Sequence, residues 1–213
     1  MKTKLMACLF AVIMLFAFST VAMADSLQNG DKVYIAKGIG SVGGGIFIVE
    51  DINHKPLFET FCLEYNEGLK TQPFTVHIDP YAVMGGLGGA EPISPSVTGD
   101  YISTATAYLY FNFLNGTIPE FTKTEAEVNA LQMAFWYLEN EVTYVYNAQT
   151  QTYIDFAGYY GTWENTTVAV MNLYDAAGDP KQSMLINVPE PLTLLLLGFG
   201  LLGLGITRRK LKK

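Results

Sequence analysis

Through the first half of the chain, apolar and polar residues alternate in short runs. Lys32-Val33-Tyr34-Ile35-Ala36 steps in and out with a period of two, and Ile46–Val49, Leu57–Leu63 and Phe74–Ile78 are further short apolar runs. Such runs, bounded by turn residues, predict β-strands that bury at least one face. Gly38–Gly45 reads as a glycine-rich turn, and Tyr81–Pro95, with four glycines and prolines at 92 and 95, as a long loop. After Asp100 the period lengthens. Ile102–Leu114 predicts a helix ended by Asn115-Gly116. Thr124, with Glu127 three residues on, is a capping box, in which each side chain takes the other residue's free amide. The helix it opens runs to about Glu141, with Val128, Leu131, Phe135 and Leu138 on one apolar face. Thr143–Phe156 suggests a hairpin, Thr167–Ala177 a third helix, and Met184–Val188 a closing strand. Together these predict an α+β fold, a β-sandwich or barrel-like sheet with a helical insertion.

The two ends differ in kind. Residues 1–24 have Lys2 and Lys4, an apolar run from Leu5 to about Val21, and a small-x-small site at Ala22-Met23-Ala24. This pattern predicts a signal peptide cleaved between Ala24 and Asp25. At the other end, Leu192–Thr207 is an uncharged run rich in Leu and Gly, followed by the basic cluster Arg208, Arg209, Lys210, Lys212 and Lys213. The run reads as a short transmembrane segment, and the cations as a stop that stays on the cytoplasmic side. Pro189 and Pro191 keep the stretch before it out of a helix. The domain expectation is therefore a signal peptide at 1–24, an extracellular domain at 25–187, and a tail at 188–213 that engages the inner membrane before processing. The tail has three parts: Val-Pro-Glu-Pro at 188–191, the apolar run at 192–207 and the basic end at 208–213.

The Pro189-Glu190-Pro191 triplet, the single apolar stretch and the terminal cations resemble the PEP-CTERM sorting signal of Gram-negative bacteria. The resemblance implies an exosortase as partner, removal of the tail, and delivery to the cell surface or extracellular matrix. The alternative is an ordinary C-terminal anchor.

Removing both ends changes the charge. Thirteen Lys and Arg fall to six while all 20 acidic residues stay, so the mature chain carries about −14. Such a surface repels phosphate backbones and excludes nucleic acid as a partner. It also changes the cysteine count. Cys8 leaves with the leader, and Cys62 remains as an unpaired thiol in an oxidising compartment. Its fate is then an intermolecular disulfide, an inert buried thiol, a catalytic nucleophile, or another covalent bond.

Phe61-Cys62-Leu63-Glu64 closes a strand, and Leu131-Gln132-Met133-Ala134-Phe135-Trp136 lies in mid-helix. Gln132 and Trp136, four apart, share a helix face at the edge of the apolar stripe. A thiol can attack a glutamine carboxamide and expel ammonia, leaving an internal thioester. Trp136, Phe135 and Phe61 are suited to shield such a bond from water. The two stretches, in this order, resemble the thioester domains of bacterial surface adhesins, with Leu131 where that family often carries Thr. The resemblance spans roughly residues 31–187. It implies a Cys62–Gln132 thioester that is opened once by an amine or hydroxyl on a surface target, so the protein would be an adhesin or cross-linker and not a turnover enzyme.

Two other readings stay open. A thiol hydrolase would pair Cys62 with His54 or His77, the only histidines, without an obvious orienting residue. A non-reactive matrix protein would use tyrosine-rich surface segments such as Tyr144–Tyr153 and Tyr159-Tyr160 to stack on sugars, and would keep a free thiol. One cysteine and two scattered histidines make no metal site, and no cofactor motif is present.

Overall fold

The computed structural model describes residues 27–188 apart from 42, 70–71, 96 and 146. The expected leader and almost all of the expected tail lie outside the described residues. The chain between them is α+β, with nine strands in mostly antiparallel sheets and three helices among the described residues.

Six strands make the main sheet: β1 (Lys32–Lys37), β2 (Phe47–Glu50), β3 (Pro56–Thr60), β4 (Phe74–Asp79), β8 (Val168–Tyr174) and β9 (Pro180–Asn187). Their order is β3-β2-β1-β4-β8-β9. The sheet does not stop at β9. Leu185 N donates to Phe61 O at 3.2 Å, Leu63 N donates to Ser183 O at 2.9 Å, and Cys62 bridges Met184. The segment that continues β3 thus returns to β9 and joins the two ends of the sheet at this short seam. Cys62 sits in the seam. Strand alternation sorts the side chains there. Phe61, Leu63, Val170 and Leu185 join the core beneath the helices, while Cys62, Met171 and Met184 join Val33, Val49, Phe74 and Val76 in the core enclosed by the sheet.

The helices α1 (Thr104–Leu114), α2 (Glu125–Leu138) and α3 (Ala148–Gly158) form a single insertion between β7 (Val97–Tyr101) and β8. Each starts on a side-chain cap, at Ser103, Thr124 and Asn147. The capping box at Thr124 is formed from both sides. Tyr110, Leu131 and Phe135 are fully buried against Phe61.

Three local expectations are corrected. Tyr81–Pro95 is not one loop: β5 (Tyr81–Ala82) and β6 (Glu91–Ser94) flank β7 (Val97–Tyr101) in a small antiparallel sheet. The glycines there supply the turns between short strands. Thr143–Phe156 is not a hairpin. Asn147 accepts from Thr150 N at 2.7 Å and nucleates α3 instead. Thr167–Ala177 is not a helix but β8, the strand between β4 and β9, with five of its seven residues buried. A strand covered on both faces reads as a continuous apolar run and loses the period that would identify it. No helix among the described residues is long and apolar enough to cross a membrane.

Candidate functional site

Cys62 lies where pairing on one side of its strand runs out. The β2–β3 ladder ends at Phe47 and Thr60, while the other side of the strand continues along β9. In an antiparallel pair, alternate residues turn their amide and carbonyl away from the partner. Phe61 and Leu63 spend theirs on β9, so Cys62 turns its own outward, where no strand receives them. The side chain of Gln132 does. Cys62 N donates to Gln132 Oε1 at 3.2 Å, and Gln132 Nε2 donates to Cys62 O at 2.8 Å. The carboxamide thus lies flat against the residue that carries the thiol, 70 positions away in sequence. The expected position of Gln132 at the core's edge is corrected: it is fully buried, because satisfying two backbone groups draws it inward.

Trp136, one turn along α2, covers the pair. It is buried with Cys62 in the same core and meets the exposed Tyr65 ring edge-on, centroids 4.8 Å apart. From the other side comes the glycine-rich turn. A Cβ added at Gly44 would lie 2.7 Å from the Trp136 ring and 2.9 Å from Gln132 Cγ, so only glycine lets the backbone come this close. Asn129 Oδ1 accepts from Ser41 N at 2.8 Å and pins that turn to α2. Phe61 and Phe135 pack behind the seam, ring centroids 4.9 Å apart. Three of the five expected residues, Cys62, Gln132 and Trp136, therefore come together, while Phe61 and Phe135 lie together in the helical core behind them. The indole N–H of Trp136 is buried without a hydrogen-bond partner.

Three acidic residues underpin the site that the sequence reading left without a role. Glu141, just past the helix, accepts from Tyr65 N at 2.8 Å and Gly88 N at 2.6 Å. Glu139 accepts from Ser103 N at 3.1 Å and Thr106 Oγ1 at 2.5 Å, which ties the end of α2 to the start of α1. Glu64, two residues beyond Cys62, is 3% exposed. Its Oε2 accepts from Ser183 N at 2.8 Å, and its own carbonyl accepts from Gln182 Nε2 at 2.8 Å. Its Oε1 has no partner. Burial, with Glu67 and Glu141 nearby, pushes Glu64 up to about 7. Burial, and then the Glu64 charge, pushes the Cys62 thiol far above its ordinary range. The only sequence signal for Glu64 was its i+2 spacing from Cys62; Glu139 and Glu141 gave none.

The histidines stand elsewhere. His54 is exposed in the β2–β3 turn, beside Glu50 at 3.0 Å and against Tyr34. His77 is exposed on β4, where alternation turns it away from the core that Val76 shares with Cys62. Neither is positioned to take a proton from the thiol. A groove of about 980 Å³ opens where the described chain begins and ends, lined by Leu27, Leu57, Ile186 and Val188 among others; it does not include Cys62 or Gln132. Among the described residues no group of three His, Cys, Asp or Glu side chains is arranged to hold a metal.

Comparison with protein families places the PEP-CTERM protein-sorting motif at residues 187–210. The match takes in Pro189-Glu190-Pro191, the apolar run, and Arg208, Arg209 and Lys210. A PEP-CTERM motif is the signal an exosortase recognises, and it marks export across the membrane toward the surface of Gram-negative bacteria. The motif begins at the last residue of β9, so the sorting signal follows the folded body directly. Comparison with curated proteins and with solved structures gives no match. The thioester-domain resemblance of the body has no counterpart in these comparisons.

Proposed function

We propose that the body is an exported surface module that forms an internal thioester between Cys62 and Gln132 and uses it once, to attach covalently to an amine or hydroxyl on a protein or polysaccharide target. The reading rests on one observation above all: the Gln132 carboxamide is held on Cys62 by two reciprocal hydrogen bonds inside a water-excluding core. Holding the amide against the backbone of the residue that carries the thiol supplies proximity that an unactivated amide needs. Trp136, Gly44 and Tyr65 close the site against water, which a thioester requires in order to persist. The sorting signal gives such chemistry a location at the cell surface, after an exosortase acts on the tail.

Intact mass tests it. The protein should weigh one ammonia less than its sequence requires, methylamine should add one methylamine, and Cys62→Ala should abolish both effects. A full-mass protein with an alkylatable Cys62 rules the thioester out.

The second reading is a non-reactive matrix protein, in which Gln132 serves only to satisfy the Cys62 backbone. It is favoured by the exposed tyrosines at 65, 101 and 159, which present flat faces suited to sugar rings. It requires the free thiol that the first reading forbids.

A further inference from the structure

Closing the bond meets an obstacle in this site. The sulfur must lose its proton to attack, yet burial holds Cys62 as the neutral thiol. The leaving group must gain a proton, because an amide anion is not expelled. The two needs are one transfer, from sulfur to nitrogen, and a group that can both take and give a proton would carry it. The histidines are outside the site. Among the described residues, Glu64, two positions from Cys62, is buried and has an unspent oxygen.

The geometry points to Glu64 as the residue that carries the proton from the Cys62 thiol to the departing Gln132 nitrogen; this rests on the thioester reading above. Glu64 follows Cys62 by two residues in the same seam, and Ser183 N anchors Oε2 while Oε1 is left unpaired in the interior. A buried acceptor without a partner costs free energy unless it has a use. The Glu64 charge acts on the Cys62 thiol, which places the two groups within electrostatic reach. Other groups around Glu64 cannot substitute. Glu67 and Glu141 are acidic and favour its protonated form. On β9, Gln182 and Ser183 are neutral, and Lys181 is paired with Asp175 at 3.0 Å. From α2 the site receives Gln132 and Trp136, both neutral.

The step balances. The Glu64 carboxylate accepts the S–H proton as the sulfur electron pair forms the S–C bond to Gln132 Cδ. The C–N bond then breaks with its pair going to nitrogen, Glu64 returns the proton there, and ammonia leaves. Glu64 ends as it began, and nothing is oxidised or reduced. A carboxylate that titrates near neutrality suits both halves of the transfer.

The test runs the bond backwards and then forwards in the full chain, purified in detergent. ¹⁵N-ammonium opens the thioester and restores Gln132 with the label. After the ammonium is removed, the return of the mass deficit is followed from pH 5 to 9. Wild type should reclose faster as pH rises through neutrality. Glu64→Gln should reclose about 100-fold more slowly and lose that pH step, with its circular dichroism unchanged. Glu64→Asp should keep the step at a reduced rate. Reclosure of Glu64→Gln at the wild-type rate and pH profile overturns the role of Glu64 and leaves the thioester standing. Wild type that shows neither deficit nor label uptake overturns both. Should Glu64→Gln fail to fold, Glu64→Asp decides: wild-type rates across the range, with no loss of speed, count against the proposal.

Discussion

Gln132 holds Cys62 by its backbone from both sides, with Oε1 on the Cys62 amide and Nε2 on the Cys62 carbonyl. The glutamine thus acts as a one-residue strand, completing a ladder at the point where β2 no longer reaches. This explains why a primary carboxamide is buried whole in an apolar core. It also gives Gln132 a structural weight that any chemical role must share.

Gln132→Ala should therefore destabilise the fold independently of chemistry. It leaves a buried N–H and a buried C=O without partners, at about 1–3 kcal/mol each. Urea denaturation at fixed pH should show a loss of roughly 2–6 kcal/mol. A loss well under 1 kcal/mol would mean that the pairing does not hold the seam.

Gly44→Ala should disturb the cover over the site. The new methyl would meet the Trp136 ring at 2.7 Å and Gln132 Cγ at 2.9 Å, so the turn or the indole must shift. Overpacking of this kind costs about 1–3 kcal/mol. Tryptophan emission should move to the red and Cys62 should become easier to alkylate, or, if the thioester is present, faster to hydrolyse. Unchanged fluorescence and reactivity would contradict the close approach of Gly44.

Stability should fall as pH rises from about 4.5 to about 7, and Glu64 should account for part of it. Its folded-state value is raised, from the ordinary 4.5 to about 7, mainly by burial. Below pH 4.5 both folded and unfolded states carry the proton, and the contribution is present in full. Between 4.5 and 7 the unfolded chain ionises freely while the folded one resists, so stability is lost. The sum is roughly 3 kcal/mol. Glu139 and Asp100, raised by burial first and by neighbouring acids, act in the same direction. Melting temperatures of wild type and Glu64→Gln at pH 4.5 and pH 8 check this: the variant should gain relative to wild type at pH 8. Parallel pH profiles would show that Glu64 is not the buried acid described here.

Thr124→Ala should cost about 0.5–2 kcal/mol by removing the cap of the helix that carries Gln132 and Trp136. Replacing Thr124 with Ser should restore most of it. A neutral result in thermal denaturation would mean that packing of α2 against Phe61 and Tyr110 holds its start without the cap.

Replacing Pro189, Glu190 and Pro191 with alanine should leave the tail attached and the protein in the membrane fraction. Mass spectrometry of the surface and membrane fractions reads this directly. Normal release of the variant would separate the sorting signal from its processing.

Local features are legible along the chain alone. The sorting triplet, apolar run and basic end are contiguous, so their order survives without a fold, and residues 187–210 match the motif. The capping box that opens α2 depends on residues three apart, and strands β1 and β4 on alternation within six. Cys62 and Gln132 were picked out by residue type and order, but their pairing was not legible in the chain. It depends on the β2–β3 ladder stopping at Phe47 and Thr60, on β9 closing against Phe61 and Leu63, and on α2 arriving at the gap those two events leave. Strand β8 is not legible for a related reason, because burial on both faces erases the period that identifies a strand. The burial of Glu64, the closeness of Gly44, and the carboxylates of Glu139 and Glu141 between elements are likewise long-range facts. Tertiary structure decided them because desolvation and unpaired backbone groups arise only when distant segments meet.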